Sequence, residues 1–179
     1  MIVKKYFSNN VILIKTKLFR DIRGSFTEIY NKNAFKKIGI FENFVQDNYS
    51  ISKNKKTIRG LHFQTGLKKQ SKLVRVMKGS IFDVVVDLRK NSNTYGKYMS
   101  FNLKQNDGQL LYISKNFAHG FCTLENNTEV FYKVSNFYSN KNEKTVLWND
   151  SFLKINWPLK KIKPILSLKD KNGISFLKL

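Results

Sequence analysis

The chain has 179 residues, 41% of them hydrophobic and 14% aromatic, which suits one domain with a sizeable buried core. No apolar run reaches the ~20 residues of a membrane helix, and the N-terminus lacks the apolar stretch of a signal peptide. The single cysteine, Cys122, excludes an intramolecular disulfide and is expected to be a small buried hydrophobe. The sequence therefore predicts a single domain over residues 1–179, in the cytoplasm, with no membrane partner.

The net charge of +21 raises the question of a nucleic-acid partner. The lysines are scattered among asparagines and isoleucines, as at residues 53–56 and 140–142, and no dense basic block or zinc-finger spacing is present. This pattern favours compositional drift on a solvated surface over a functional basic face, and we expect no nucleic-acid partner. The charge would still attract a nucleotide diphosphate by long-range steering, which salt weakens.

Alternating and β-branched runs predict many short strands, with Gly, Asn and Ser clusters between them. A short helix is expected over Lys32–Ile38, ended by Gly39, and a turn near Asn149–Leu153. Close turn signals between short strands indicate an all-β sandwich or barrel with one or two short helices. The predicted strands, in chain order, are Val11–Lys17, Phe26–Tyr30, Phe44–Ser52, Thr57–Gln64, Lys72–Lys78, Ser80–Leu88, Tyr98–Leu103, Gln109–Ile113, Ala118–Thr123 and Glu129–Val134.

The hexapeptide Arg59–Gln64 places one of the two histidines of the chain inside a predicted strand. Histidine moves protons near neutral pH, and an arginine binds phosphate or carboxylate through two hydrogen bonds. Strict strand alternation would put Arg59 and His62 on opposite faces, whereas a bulge at Gly60 would bring them together. Taken alone, a strand histidine is more often structural than catalytic, so the motif needs support from the rest of the chain.

Further motifs follow in order. They are Arg20–Glu28, Phe44–Ser50, Gln70–Val76, Gly79–Arg89, Phe117–Phe121, Tyr132-Lys133, Glu143, Trp148–Asp150, Trp157-Pro158 and Ser167–Asp170. Together with the hexapeptide, this series from about Ile12 to Asp170 resembles the dTDP-4-dehydrorhamnose 3,5-epimerase (dTDP-4-keto-6-deoxyglucose 3,5-epimerase) family. The resemblance implies a double-stranded β-helix jelly roll of the cupin type, forming a homodimer. It also implies an isomerase without metal or redox cofactor, acting on a dTDP-4-keto-6-deoxy sugar in dTDP-L-rhamnose and surface polysaccharide (lipopolysaccharide O-antigen) biosynthesis.

The resemblance assigns four catalytic roles. His62 is the base that removes the protons at C3 and C5 of the sugar, and Asp170 is the carboxylate paired with it. Such a carboxylate fixes the tautomer of the ring and stabilises imidazolium. Lys72 stabilises the enolate oxygen at C4, and Tyr132 donates a proton to the opposite face.

The same resemblance gives the expected substrate contacts. Arginines suit the pyrophosphate, and amide or carboxyl side chains suit sugar hydroxyls or the base. His119 has a second interpretation, as a structural histidine that bonds the backbone. The expected contacts are Arg23, Glu28, Gln46, Asn48, Arg59, Lys72, His119, Glu143 and Lys169.

Two segments depart from the family pattern. Ile113–Phe117 lacks the usual Pro- or Gly-bearing turn, although Asn116 tolerates the left-handed conformation that the turn needs. The proline often found after Tyr138 is also missing, which leaves the placement of Glu143 open.

Other functions remain alternatives at this point. A metal-dependent cupin would want closely spaced histidines with a carboxylate, and this chain has only His62 and His119, far apart in sequence. A non-catalytic basic binding module would leave the four catalytic side chains unexplained. Within the family pattern, a different sugar or nucleotide carrier, or inversion at C3 or C5 alone, stays open.

Overall fold

The computed structural model describes residues 1–179, which fold into strands with two short helices. The helices are α1 (Lys32–Lys37) and α2 (Leu168–Lys171), with 3-10 turns at Gly66–Lys68, Asn140–Asn142 and Phe176–Lys178. The strands are β1 (Ile2–Tyr6), β2 (Val11–Lys15), β3 (Phe19–Asp21), β4 (Gly24–Phe26), β5 (Gln46–Ser52), β6 (Ile58–Gln64), β7 (Lys72–Lys78), β8 (Ser80–Asp87), β9 (Tyr98–Lys104), β10 (Gln109–Ile113), β11 (Phe117–Thr123), β12 (Thr128–Val134) and β13 (Glu143–Thr145). Neither helix has the length and apolar character needed to cross a bilayer.

Two antiparallel sheets face each other around a shared core. The larger has the order β1-β2-β10-β7-β12-β5 and the smaller the order β13-β6-β11-β8-β9, while β3 and β4 form a separate hairpin. Alternate side chains of both sheets meet in the central core, with Val74 and Leu111 from the larger sheet and Val85 and Phe121 from the smaller. This is the jelly roll that the sequence predicted, and the fold class is confirmed.

Parts of the outer faces of both sheets are also covered. Phe35 of α1 packs with Ile12 and Leu110 on the outside of the larger sheet. Trp157 and Phe176 of the C-terminal segment cover the outside of the smaller sheet. That covering layer brings α2 beside β6, which matters for the site described below.

Most predicted strands agree with the structure to within two residues at each end, and helix α1 is confirmed with Asn31 as its cap. The expected strand Phe26–Tyr30 is wrong. Only Phe26 is in a strand, because the ring of Tyr30 packs edge-on against Phe35 under α1 instead of following a sheet. The sequence also missed β1, an edge strand that is mostly exposed and so lacks apolar alternation.

The glycine bulge in β6 is confirmed. The pairing of β6 with β11 shifts by one residue, since His62 pairs with His119 and Arg59 with Phe121. Gly60 has φ of 121°, and a Cβ there would lie 2.5 Å from the Cα of Gly120, so only glycine fits.

Two smaller expectations are met as well. Asn116 takes the left-handed conformation with φ of 68°, which closes the turn before β11 without glycine. Cys122 is a fully buried free thiol in the core outside the smaller sheet. Burial raises its pKa to about 11, so the thiolate that a nucleophile needs is disfavoured.

Candidate active site

A cavity of about 730 Å³ opens between the two sheets. Its walls come from strands of both sheets and from the segment that leads into α2. The structure brings ten of the predicted site residues together on these walls: Gln46, Asn48, Arg59, His62, Lys72, His119, Tyr132, Glu143, Lys169 and Asp170.

His62 and Asp170 form a close pair on one wall. Nε2 of His62 lies 2.5 Å from Oδ1 of Asp170, and the second carboxylate oxygen accepts a hydrogen bond from the Ser167 hydroxyl at 2.8 Å. Ser167 also caps α2, because its hydroxyl oxygen accepts from the backbone N–H of Asp170. The pairing occupies Nε2 and leaves Nδ1 of His62 without a hydrogen bond inside the protein.

The environment of this pair favours a neutral imidazole beside a carboxylate. Burial lowers the pKa of His62 below its ordinary value, and the charges of Lys72 and Lys169 act in the same direction against the opposing effect of Asp170. Burial alone would raise the pKa of Asp170, but hydrogen bonds from His62 and Ser167 outweigh it and lower that pKa. At neutral pH the imidazole is therefore able to accept a proton.

Lys72 and Tyr132 face the histidine from the other sheet. Lys72 begins β7, and its ammonium donates a long hydrogen bond of 3.4 Å to the carbonyl oxygen of His62. Enclosure in the cavity lowers the pKa of Lys72 to about 8, so the ammonium is still mostly protonated at neutral pH. Tyr132 lies on β12, and burial raises the pKa of its hydroxyl, which stays protonated.

A second set of charged side chains lies beside the pair. Lys169 binds both carboxylate oxygens of Glu143 at 2.9 Å, and the Tyr138 hydroxyl donates to the same carboxylate at 3.0 Å. These contacts hold Glu143 on the cavity wall although the proline expected after Tyr138 is absent. Nε of Arg59 donates a hydrogen bond to the Ser52 hydroxyl at 3.0 Å, and this contact orients the guanidinium.

His119 lines the cavity and also has a structural partner, but that partner is not the backbone that the second interpretation expected. Its ring N–H at Nε2 donates to Oδ2 of Asp83 at 2.8 Å, so the partner is a carboxylate. His119 is also the cross-strand neighbour of His62. No group of three or more His, Cys, Asp or Glu side chains in the chain is arranged to hold a metal ion. Sequence reasoning did not single out Asp83, the buried partner of His119, although it lies in one of the ordered motifs.

Arg23 and Glu28 lie outside the cavity of their own chain. Arg23 is at the tip of the β3–β4 hairpin, where its guanidinium pairs with Asp21 at 2.5 Å and its side chain is 86% exposed. Glu28 is exposed after the hairpin and accepts a hydrogen bond from Asn31.

Several proteins of similar sequence and fold are named dTDP-4-dehydrorhamnose 3,5-epimerases. The sequence model of the dTDP-4-dehydrorhamnose 3,5-epimerase family matches residues 8–178. The dTDP-4-dehydrorhamnose 3,5-epimerase of Salmonella typhimurium is 46% identical over 171 residues, 95% of this chain and 92% of that protein.

Two solved structures extend the comparison. The Bacillus anthracis epimerase with TDP and PPi bound superposes with a TM-score of 0.94 at 45% identity, covering 98% of each chain. The Legionella pneumophila enzyme in complex with dTDP-4-keto-L-rhamnose gives a TM-score of 0.93 at 35% identity, covering 99% of this chain and 93% of that one. The chain belongs to the dTDP-4-dehydrorhamnose 3,5-epimerase family.

Proposed function

We propose that the chain converts dTDP-4-keto-6-deoxy-D-glucose into dTDP-4-keto-L-rhamnose, by epimerisation at C3 and C5, in one cytoplasmic jelly-roll domain. The product would serve dTDP-L-rhamnose and surface polysaccharide synthesis. The observation that carries the proposal is the position of His62 and Tyr132 on facing sheets across one cavity. Inversion of a carbon needs a base on one side and an acid on the other, and this arrangement offers both.

The chemistry begins with the C4 ketone, which acidifies the C–H bonds at C3 and C5. Nδ1 of His62 takes the proton, and the electron pair of the broken C–H bond moves into an enolate at C4. The ammonium of Lys72 stabilises the negative oxygen. The Tyr132 hydroxyl then gives its proton to the other face of the carbon, and solvent restores both side chains. Asp170 stabilises the imidazolium between these steps.

Incubation of the purified chain with dTDP-4-keto-6-deoxy-D-glucose in heavy water tests this function. We expect deuterium at both C3 and C5 and a product with both centres inverted, each read by NMR. dTDP-glucose is the matched control, because it carries the same nucleotide but lacks the ketone and should exchange nothing. Deuterium at a single carbon would reduce the activity to a monoepimerase, and no exchange at either carbon would contradict the proposal.

The same assay tests the independence from metal ions. The substrate's own ketone supplies the acidity, so we expect the rate to be unchanged after exhaustive dialysis against a chelator. Activity that disappears on chelation and returns with one divalent cation would instead favour a metal-dependent cupin.

We also propose a homodimer in which each hairpin serves the partner's cavity. The hairpin exposes Phe19, Ile22 and Phe26, an unusual apolar surface for a projecting element. Arg23 at its tip carries a cation suited to a pyrophosphate but lies outside the cavity of its own chain. Strand β1 is an edge of the larger sheet, and addition of a partner strand at this N-terminal segment would cover it.

Mixing two defective variants tests this arrangement. Arg23→Ala and His62→Ala should each have low activity alone, measured at subsaturating substrate. If Arg23 acts in the partner's cavity, coexpression gives hybrid dimers with one intact site, and about a quarter of the wild-type activity should return under random pairing. Light scattering should show a dimer at micromolar concentration. A monodisperse monomer, or mixtures no more active than the two variants, would contradict the arrangement.

A further inference from the structure

Gln64 is a buried glutamine whose amide oxygen has no use in the fold. It ends strand β6, and only 7% of its surface is exposed. Its Oε1 is enclosed by the protein and has no hydrogen-bond partner. A buried amide without its hydrogen bonds costs stability, and a methionine of similar length would fill the same space without that cost. Packing alone therefore does not account for a glutamine at this position.

The position of Gln64 places it on the wall of the active-site cavity. It lies two residues after His62 on the same face of β6, and both side chains line the cavity. Its cross-strand neighbour on β13 is Glu143, which also lies on this wall. Alternate residues of a strand are roughly 7 Å apart, so a hexose that has a reacting carbon at His62 is within reach of Gln64.

The polar side chains around Gln64 are already paired with other groups. Glu143 stands beside it, but its two carboxylate oxygens are both bound by Lys169 at 2.9 Å. Gln70 lines the same cavity, and its amide donates to the carbonyl oxygen of Asn136 at 2.8 Å. Gln64 differs from these neighbours because its amide is left for a molecule in the cavity.

The chemistry of an amide indicates which part of the substrate it would bind. A half-turn about the last side-chain bond exchanges the amide oxygen and nitrogen, and this torsion is soft. A hydroxyl both donates and accepts, so it pairs with either of the two groups. Phosphate oxygens and the C4 ketone only accept, and they would leave the amide oxygen unpaired. On the hexose of the proposed substrate, hydroxyls are present at C2 and C3.

We propose that Gln64 is a specificity-determining residue, whose amide binds a hexose hydroxyl at C2 or C3 beside the reacting carbons. The inference rests on the proposed function. The contact fixes the rotation of the hexose over His62, because the base and the amide hold the ring at two points of one cavity wall. It also selects against a hexose without that hydroxyl, which would leave the buried amide unpaired.

The test combines Gln64→Met with three substrates: dTDP-4-keto-6-deoxy-D-glucose and its 2-deoxy and 3-deoxy analogues. All three keep the hydrogen at C5, so the rate of deuterium entry at C5, expressed as kcat/KM, is measured for each. The variant is compared with the wild type on the same substrate, and differences in the intrinsic acidity of the substrates therefore cancel.

We expect Gln64→Met to lose about tenfold or more in kcat/KM on the parent substrate, and less than about twofold on one of the two deoxy analogues. The analogue that is insensitive to the substitution identifies the hydroxyl that Gln64 binds. Thermal unfolding and dTDP binding establish that the variant is folded, and Gln64→Leu replaces a methionine variant that does not fold.

Gln109→Met is the matched control. Gln109 also has a buried Oε1 without a partner, but it lies on β10 and is not among the residues that line the cavity. Its substitution should leave the preference among the three substrates at the wild-type value.

Other outcomes overturn the inference. An equal loss on all three substrates in Gln64→Met would mean that the glutamine only shapes the cavity. Wild-type rates on all three would mean that its amide contacts no part of the hexose. If the wild-type chain exchanges no proton of the parent substrate, the proposed function fails instead, and the two failures are therefore distinct.

Discussion

Replacement of His62 by alanine is expected to lower the epimerisation rate by about 10³-fold or more, because it removes the proposed base, whose Nδ1 is free and whose Nε2 is held by the Asp170 carboxylate. Deuterium exchange at C3 and at C5 should fall together, since the same imidazole removes both protons. Nucleotide binding should change little, because the base acts on the sugar. NMR exchange rates and calorimetric titration with dTDP measure the two effects.

Asp170→Asn provides the graded control for His62→Ala. The amide fits the same space beside Ser167 but cannot stabilise imidazolium, so its loss of rate should be large yet smaller than that of His62→Ala. Near-wild-type turnover in His62→Ala would mean that the base is a different residue. A His62→Ala chain that no longer binds dTDP would point to a collapsed cavity and not to lost chemistry.

Strand alternation and one glycine bulge predict where the expected site residues of β6 lie. Alternation along β6 puts His62 and Gln64 on one face, and Gly60 inserts the extra residue that turns Arg59 toward the same cavity. Asp170 was harder, because nothing in its local sequence brings a C-terminal residue next to β6. Its placement depends on the apolar C-terminal segment that packs over the smaller sheet, a tertiary contact that only the family pattern anticipated.

The features that the sequence did not predict each have a local physical cause. Ile29 and Tyr30 are of the β-branched and aromatic types that are common in strands, but they pack under α1, because burial against a helix satisfies apolar side chains as well as a sheet does. Asp83 looks like an ordinary polar residue of a strand, and its burial and its unpaired oxygen appear only in the structure. Arg23 and Glu28 fit the family pattern, yet the sequence does not say whether they serve their own cavity or a partner's.

Tyr132→Phe should separate proton exchange from inversion. The change keeps the buried ring and removes only the donor. His62 is still able to remove a proton and return it to the same face, so exchange of a ring proton with solvent should persist while inversion falls by about 10² or more. Tyr95→Phe is a matched control, because Tyr95 packs on Phe176 away from the cavity, and both rates should stay at wild-type values.

Lys72→Ala is expected to behave differently from Tyr132→Phe, because exchange and inversion both pass through the enolate that Lys72 stabilises. We expect both rates to fall together by about 10²–10³-fold. Lys78→Ala, at the exposed far end of the same strand, is the matched control and should change neither rate. The measurement is the ratio of deuterium wash-in to net epimerisation for each variant. That ratio should rise in Tyr132→Phe and stay constant in Lys72→Ala. Equal losses of both rates in Tyr132→Phe would mean that the tyrosine shapes the cavity and that the proton for the second face comes from another group.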